Sequence, residues 1–292
     1  MLRPATFTII IQLPCPKNKI LTEGSSIAIC PVFQASFPAS PPPGSVYVRN
    51  VFCGINASDI NFTNGVYLPG VQPPFDTGFE AIGRVVGLGE GVTKFKVGDP
   101  VSYMGFGAFA EQREVAAKSL IPLPRLLPEF LALPVSGLTA SIALEEVGQI
   151  KAGETVLVTA AAGATGSFAV QLAKSAGCHV IGTCSSDEKA HMLKELGCDR
   201  PVNYKKEDLF SVLRKEYPSG VDVVYEGVGG KMFDIALNNL AVKGRLVVIG
   251  FISGYQDSSG WTGGGAVQKP IAPKLLGKSA SVRGFFLNDY AK

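Results

Sequence analysis

The sequence predicts an α/β protein in which a small β-barrel of short strands precedes a doubly wound parallel sheet. Three observations predict it. They are a strand, glycine-rich turn and helix over residues 155–174, an alternation of apolar strands with helix patterns from there onward, and a glycine-punctuated series of short strands between residues 46 and 116.

The first observation is the run TAAAGATGSFAVQLAK, residues 159–174, directly after Val156-Leu157-Val158. It reads as a buried parallel strand, a tight turn of small residues and a helix whose first N–H groups and positive dipole end face a phosphate. Ala161-x-Gly163-x-x-Gly166 stands where G-x-G-x-x-G would, with alanine for the first glycine. Gly163 lets the backbone approach a pyrophosphate, and Gly166 lets helix and strand pack closely. The same run also suits a compact strand-to-helix connection without a ligand, so its surroundings decide.

Those surroundings are strands at Val180-Ile181-Gly182, Val202-Asn203-Tyr204, residues 221–225, 246–250 and 281–286, with helix patterns over 188–197, 208–217 and 232–240. This is the alternation of a parallel sheet with right-handed crossovers. Several strands end in glycine or small residues, as befits a ligand crevice at their carboxyl ends.

The first half is written differently. Residues 1–45 are proline-rich without a sustained period and read as irregular chain. From Val46 the segments VYVRNVFCGINASDI, EAIGRVVGLGEGV, VGDPVSYM and GAFAEQREV predict the strands of a small barrel. A helix pattern over 134–146 leads into the second half and sets the domain boundary near Gly148. The expected organisation is an irregular segment over 1–37, a barrel domain over 38–147 and a nucleotide domain over 148–292.

Composition narrows the function classes. With 46% hydrophobic and 17% charged residues the 292-residue chain can bury a sizeable core. Its 27 basic and 24 acidic residues form no basic stripe, which argues against nucleic acid. The aliphatic run Ile9-Ile10-Ile11 is too short to span a bilayer and lacks the pattern of a signal peptide. Six cysteines without a C-x-x-C pair read as reduced, packed thiols, and a cytoplasmic location is expected for this chain.

The ordered segments GINASDI, YLPGVQPPFDTGFEAIGRVVGLG, VGDPVSYM, GAFAEQREV, VSGLTASIAL, AAAGATG and KGRLVVIGFISGY resemble the medium-chain dehydrogenase/reductase superfamily. Within it they are similar to the zinc-free quinone-reductase-like and prostaglandin-reductase branch, as are HVIGTCSSDEK, EYPSGVDVVYE and VIGFISGYQ. The resemblance runs from about Pro38 to Lys292. It implies a GroES-like catalytic domain joined to a Rossmann domain, a substrate held between them, and a homodimer. It does not reach the first 37 or so residues, where relatives begin with a β-hairpin. Relatives also continue past Lys292 through a last Rossmann helix, returning strands and a peroxisomal Ser-Lys-Leu ending. This chain is therefore expected to be a truncated product with weakened or lost activity.

Zinc-dependent relatives carry a cysteine ligand in G-I-C-x-[ST]-D and a histidine in G-H-E. Here those positions are Asn56 and Phe79, which cannot replace thiolate and imidazole, and the two histidines, His179 and His191, lie in the nucleotide half. No zinc is expected.

At the end of the second Rossmann strand stands Thr183-Cys184-Ser185-Ser186, with acids only at Asp187 and Glu188 inside the next helix and a cation at Lys189. Without an acid for a ribose 2′-hydroxyl, this favours NADPH over NADH. The same residues also make a helix cap and a solvated face. The resemblance implies that Ser185, Lys189 and Tyr204 clamp the 2′-phosphate, that Thr165 meets the pyrophosphate, and that Ile249 and Tyr255 lie along the cofactor.

The expected chemistry is reduction of an alkene conjugated to a carbonyl. The resemblance makes Tyr67 a donor to the developing oxyanion or the source of the proton, and Asn56 an orienting group. Packing for Tyr67 and turn formation for Asn56 are the plainer alternatives. Three readings stay open: enone reduction (15-oxoprostaglandins at the 13,14 double bond, by resemblance), quinone reduction, and cofactor binding without turnover.

Overall fold

Along Ser45–Gly54 (β2) the residues Val46, Tyr47 and Val48 are all buried, so this strand is covered on both faces where the first half of the chain folds around it. The computed structural model describes residues 10–12 (backbone), 37–63, 67, 76–255 and 270–290. It divides into two compact units, Thr8–Pro134 and one from Val135 onward.

In the first unit Ile10–Gln12 (β1), β2, Glu80–Leu88 (β3), Pro100–Met104 (β4), Gln112–Ala116 (β5) and Ile121–Pro122 (β6) form one six-stranded antiparallel sheet. Its order is β1-β2-β3-β4-β6, with β5 also on β2. β2 holds β3 along one edge, while the other edge takes β5 at residues 45–49 and β1 at residues 52–54. The β1 pairing adds a three-residue strand within the segment expected to be mostly irregular. Ile10–Gln12 is too short for a period to show, and only the open edge of β2 makes it a strand. Register shifts at Tyr47/Val48 and Asn50/Phe52 bend β2 against β3. At the second bend the Asn50 amide donates to the carbonyls of Ala108 and Ala110 at 3.0 and 2.9 Å, which ties the 105–111 loop to the sheet. A short helix, Ser58–Thr63 (α1), follows β2.

In the second unit Thr155–Val158 (β7), His179–Cys184 (β8), Arg200–Asn203 (β9), Val221–Glu226 (β10), Leu240–Val248 (β11) and Ser281–Gly284 (β12) form an all-parallel sheet. The order is β12-β11-β10-β7-β8-β9. The chain winds outward from β7 to β9, then returns to lay β10 on the other side of β7, so the switch point lies between β7 and β10. Helices Ala164–Ser175 (α3), Asp187–Glu195 (α4), Leu209–Glu216 (α5) and Gly230–Asn238 (α6) make the crossovers, and Leu138–Ile142 (α2) precedes them. The core joins strand and helix residues such as Leu157, Ile181, Val224, Leu213, Leu237 and Leu246, all at most 2% exposed.

Two boundaries differ from expectation. The units part at Pro134/Val135 rather than near Gly148, because α2 packs on α3 of the second unit. The helical stretch around α2 has wide π turns at Leu133–Gly137 and Ala143–Val147; Pro134, inside the first, has no N–H to donate. The strand expected at 246–250 already begins at Leu240. Its ladder with β10 shifts between Val221 and Val223 around the left-handed Lys243 (φ 65°), which breaks the period a strand would show.

Pro128–Val147 is long and apolar enough, at mean hydropathy 1.4, to pass for a membrane-crossing helix by length and composition. More than half of it is buried, as in a core helix. Cys53, Cys178, Cys184 and Cys198 are free and buried, while Cys15 and Cys30 lie outside the described residues.

Candidate functional site

The turn from β7 into α3 is pinned from the side. Ala160 N–H donates to the Thr183 hydroxyl at 3.0 Å and Ala161 N–H to the Thr183 carbonyl at 2.9 Å. Gly163 is the N-cap of α3 in extended conformation, and no side chain caps the helix. The first-turn N–H groups therefore start a 12-residue helix without an internal acceptor from the cap. Gly166 has no room for a side chain: a β-carbon there would lie 2.5 Å from the Ala160 carbonyl oxygen and 2.8 Å from Ala161 Cα. Thr165 meets the fully buried phenol of Tyr225, whose pKa burial raises and the Thr165 contact draws back. The structure thus brings Gly163, Thr165 and Gly166 together at one helix start.

Beside it, the register of β8 and β9 sets Cys184 opposite Asn203. Lys189 Nζ reaches the Ser185 hydroxyl at 3.4 Å, and Tyr204, whose N–H donates to the Cys184 carbonyl at 3.0 Å, stands on the neighbouring strand end. Ser185, Lys189 and Tyr204 are therefore grouped. Asp187, the nearest acid, is engaged by Lys206 and, at 2.9 Å, by the Asn203 amide; these bonds hold its carboxyl below the usual carboxylate range. Sequence reasoning missed Asn203 and Lys206, because only the strand register brings them to Asp187.

The switch point holds a second missed group. Glu226, fully buried at the end of β10, accepts the Val228 N–H at 2.9 Å, the Gly229 N–H at 3.1 Å and the Thr159 hydroxyl at 3.3 Å. Burial pushes its carboxyl pKa up, and these donors pull against that. Ile249 N–H donates to the Glu226 carbonyl at 2.8 Å, which places Ile249 here. Tyr255 is buried, its ring edge-on to Phe251, and a β-carbon on Gly250, next to Ile249, would lie 2.8 Å from its hydroxyl.

In the first unit, the Asn56 amide donates to Glu80 Oε1 at 2.9 Å and its backbone N–H to Asp59 Oδ2 at 2.7 Å. Glu80 is 1% exposed and lies over Gly54, where a β-carbon would fall 2.2 Å from its carboxylate. Phe79 stacks on Phe62 at 5.4 Å, and Phe106 and Tyr67 meet Phe62 edge-on at 4.8 and 5.0 Å. Tyr67 and Asn56 thus flank α1. The roles of Glu80 and Asp59 were missed because each is one acid among many until the fold buries it.

Burial pushes the Asp59 carboxyl up to about 6, against the bond from the Asn56 N–H. A carboxyl raised on folding stabilises the fold below its unfolded pKa of 3.8, and that contribution is lost as pH rises toward 6. Asp59→Asn is expected to match the wild type near pH 3.5 and to gain on it by up to roughly 3 kcal/mol above pH 6. Urea unfolding at both values checks this; parallel stability curves would remove the effect.

Residues 42–125 match the alcohol dehydrogenase GroES-like domain and residues 164–292 the zinc-binding dehydrogenase domain. The chain is 52% identical over 260 residues to a probable quinone oxidoreductase of Leishmania amazonensis, covering 89% of this chain and 76% of that one. The chain belongs to the medium-chain dehydrogenase/reductase superfamily. Within this superfamily it is 59% identical over 252 residues to prostaglandin reductase-3 of Mus musculus, covering 86% of this chain but spanning only 66% of that protein's length. Among solved members, the Escherichia coli quinone oxidoreductase complexed with NADPH superposes with a TM-score of 0.74 at 32% identity, covering 88% of this chain and 77% of that one.

Not every superfamily member's metal chemistry fits these residues. Where zinc-dependent members carry cysteine and histidine, this chain has an amide bonded to Glu80 and a phenyl ring in a four-ring cluster. Among the described residues no three His, Cys, Asp or Glu side chains are grouped for a metal. His179 instead bonds the Tyr217 hydroxyl at 2.8 Å, and His191 faces Glu195 on an exposed helix. A dinucleotide does fit the second unit, at the open α3 start and the side-chain-free Gly166.

Proposed function

We propose that this chain is an NADPH-dependent reductase of carbon–carbon double bonds conjugated to a ketone, with lipid enones of the 15-oxoprostaglandin type as its substrate class. The likeness to prostaglandin reductase-3 carries the reading, and the open α3 start beside the Ser185, Lys189 and Tyr204 group supports it.

When bound, NADPH supplies a hydride to the β carbon of the enone and leaves as NADP⁺. The chain's residues do the rest. The α3 N-terminus holds the pyrophosphate, with Thr165 at its rim. Lys189 and Ser185 hold the 2′-phosphate, and the bonds of Asp187 to Lys206 and Asn203 offset the charge of Asp187, an acid that would repel it. Tyr67 donates to the oxygen on which charge develops or delivers the proton to the α carbon. Asn56, its amide nitrogen held by Glu80, turns its oxygen to an N–H donor.

Lys189→Ala is expected to lower the ratio of kcat/KM for NADPH over NADH by about 10- to 100-fold, the worth of a hydrogen bond to a charged group. An unchanged ratio removes Lys189 from the clamp. The likeness to the Leishmania amazonensis protein favours one second reading, quinone reduction on the same residues. NADPH oxidation measured with 15-oxoprostaglandin and with a small quinone decides between them: turnover of the quinone alone overturns the enone assignment.

A further inference from the structure

Two helices start at the switch point, α3 after β7 and α6 after β10, and the same physics draws an anion to each. They are furnished differently. Neither N-cap, Gly163 nor Gly229, contributes a side-chain bond. In the turn that leads into α6, however, a carboxylate of the chain's own is in place. Glu226 Oε1 accepts the Val228 N–H at 2.9 Å, and both its oxygens accept the Gly229 N–H at 3.1 Å. Gly229 is left-handed (φ 78°), and a β-carbon on it would lie 2.7 Å from Phe251 Cβ, so the turn is closely held on its other side as well.

The same carboxylate reaches across the switch point. Thr159, the residue from which the cradle turn departs, shares its hydroxyl proton between Glu226 Oε1 and the Tyr225 carbonyl, each at 3.3 Å, and its hydroxyl oxygen accepts the Gly227 N–H at 2.9 Å. Glu226 and Thr159 are 0% and 2% exposed. The end of β7 and the β10–α6 turn are thereby tied by buried bonds, in which a carboxylate supplies more than a neutral group of the same shape could.

We infer that Glu226 is a positioning residue for the dinucleotide: its carboxylate binds the N–H groups of the turn that leads into α6 and, through Thr159, holds the cradle turn in the shape that receives a pyrophosphate at α3. The inference rests on the NADPH reading above. It assigns Glu226 no contact with the cofactor. Its effect belongs in cofactor affinity, not in the chemical step.

The test titrates NADPH by its fluorescence against the wild-type chain, Glu226→Gln, Glu226→Ala and Thr159→Val, with amide hydrogen exchange at Val228 and Gly229 and thermal melting alongside. Gln keeps one carbonyl acceptor and the shape but not the charge or the second acceptor. It is expected to weaken NADPH binding about tenfold, with a melting temperature within a few degrees of wild type, faster exchange at Val228 and Gly229, and kcat at saturating NADPH within about twofold. Glu226→Ala is expected to bind more weakly still and to regain affinity in formate, a small carboxylate for the vacated place, but not in an equal concentration of chloride. Thr159→Val added to Glu226→Gln is expected to cost less than the sum of the two single changes. Should the alanine variant fail to fold, the glutamine and valine variants carry the test. Wild-type affinity in Glu226→Gln, or a loss that only tracks the fraction unfolded, overturns the inference and leaves the NADPH reading standing. A wild-type chain that binds no NADPH overturns both.

Discussion

Gly166→Val is expected to raise the dissociation constant for NADPH by at least about 100-fold and to lower the melting temperature by several degrees. The β-carbon of any side chain at this position lies 2.5 Å from the Ala160 carbonyl oxygen and 2.8 Å from Ala161 Cα, and both are backbone atoms that no rotamer change can move. Either the first turn of α3 lifts from the cradle turn or the turn itself opens. Overpacking of this kind costs about 1–3 kcal/mol, which at roughly 2–4 °C per kcal/mol for a domain of this size gives the change in melting. The larger effect falls on binding, because the N–H groups proposed to receive the pyrophosphate lie on the segment that must shift. Gly163→Ala is the internal comparison. Its backbone is ordinary extended chain, and its β-carbon would meet only the Ala160 oxygen at 3.1 Å, so it is expected to weaken binding less. Equal effects at the two glycines, in titration and melting, would contradict this account.

Tyr67→Phe is expected to lower kcat on an enone by about 10²-fold or more, the range for loss of a positioned proton donor, with KM for NADPH unchanged. The phenylalanine ring keeps the edge-on contact with Phe62, 5.0 Å between centroids and 76° between planes, so stability should move by less than about 1 kcal/mol. The change thus separates the hydroxyl from the ring. Full turnover in the variant would leave Tyr67 as a packing residue of the cluster formed by Phe62, Phe79 and Phe106.

Much of the second unit was legible because its signals are local. An apolar run bounded by glycine or small residues and a helix pattern with its cap lie within about fifteen residues of one another, and β7 to β10 stand within two residues of where such runs place them. Where that locality fails, the reading fails. The first residues of β11 carry no strand period, since the ladder slips around Lys243, and Ile10–Gln12 becomes a strand only because β2 has an open edge. The stretch around α2 reads as a helix, but the unit it joins is set by its packing on α3, a contact between residues far apart in sequence.

The candidate site divides in the same way. The sequence by itself determined the alternation of strands and helices that makes a doubly wound sheet, the glycines of the cradle, the absence of an acid at the end of β8 and the amide and phenyl ring in place of two zinc ligands, because each is a matter of residue type at a fixed spacing. Tertiary structure alone decided which of two similar glycines is obligatory, that Lys206 and Asn203 engage Asp187, that Glu80 aligns the Asn56 amide, and that Glu226 reaches Thr159 across the switch point. Each of these joins residues that only strand register or chain crossover brings within bonding distance. For Glu80 and Glu226, burial then makes the hydrogen bond matter, because a carboxylate removed from water must find its donors in the protein.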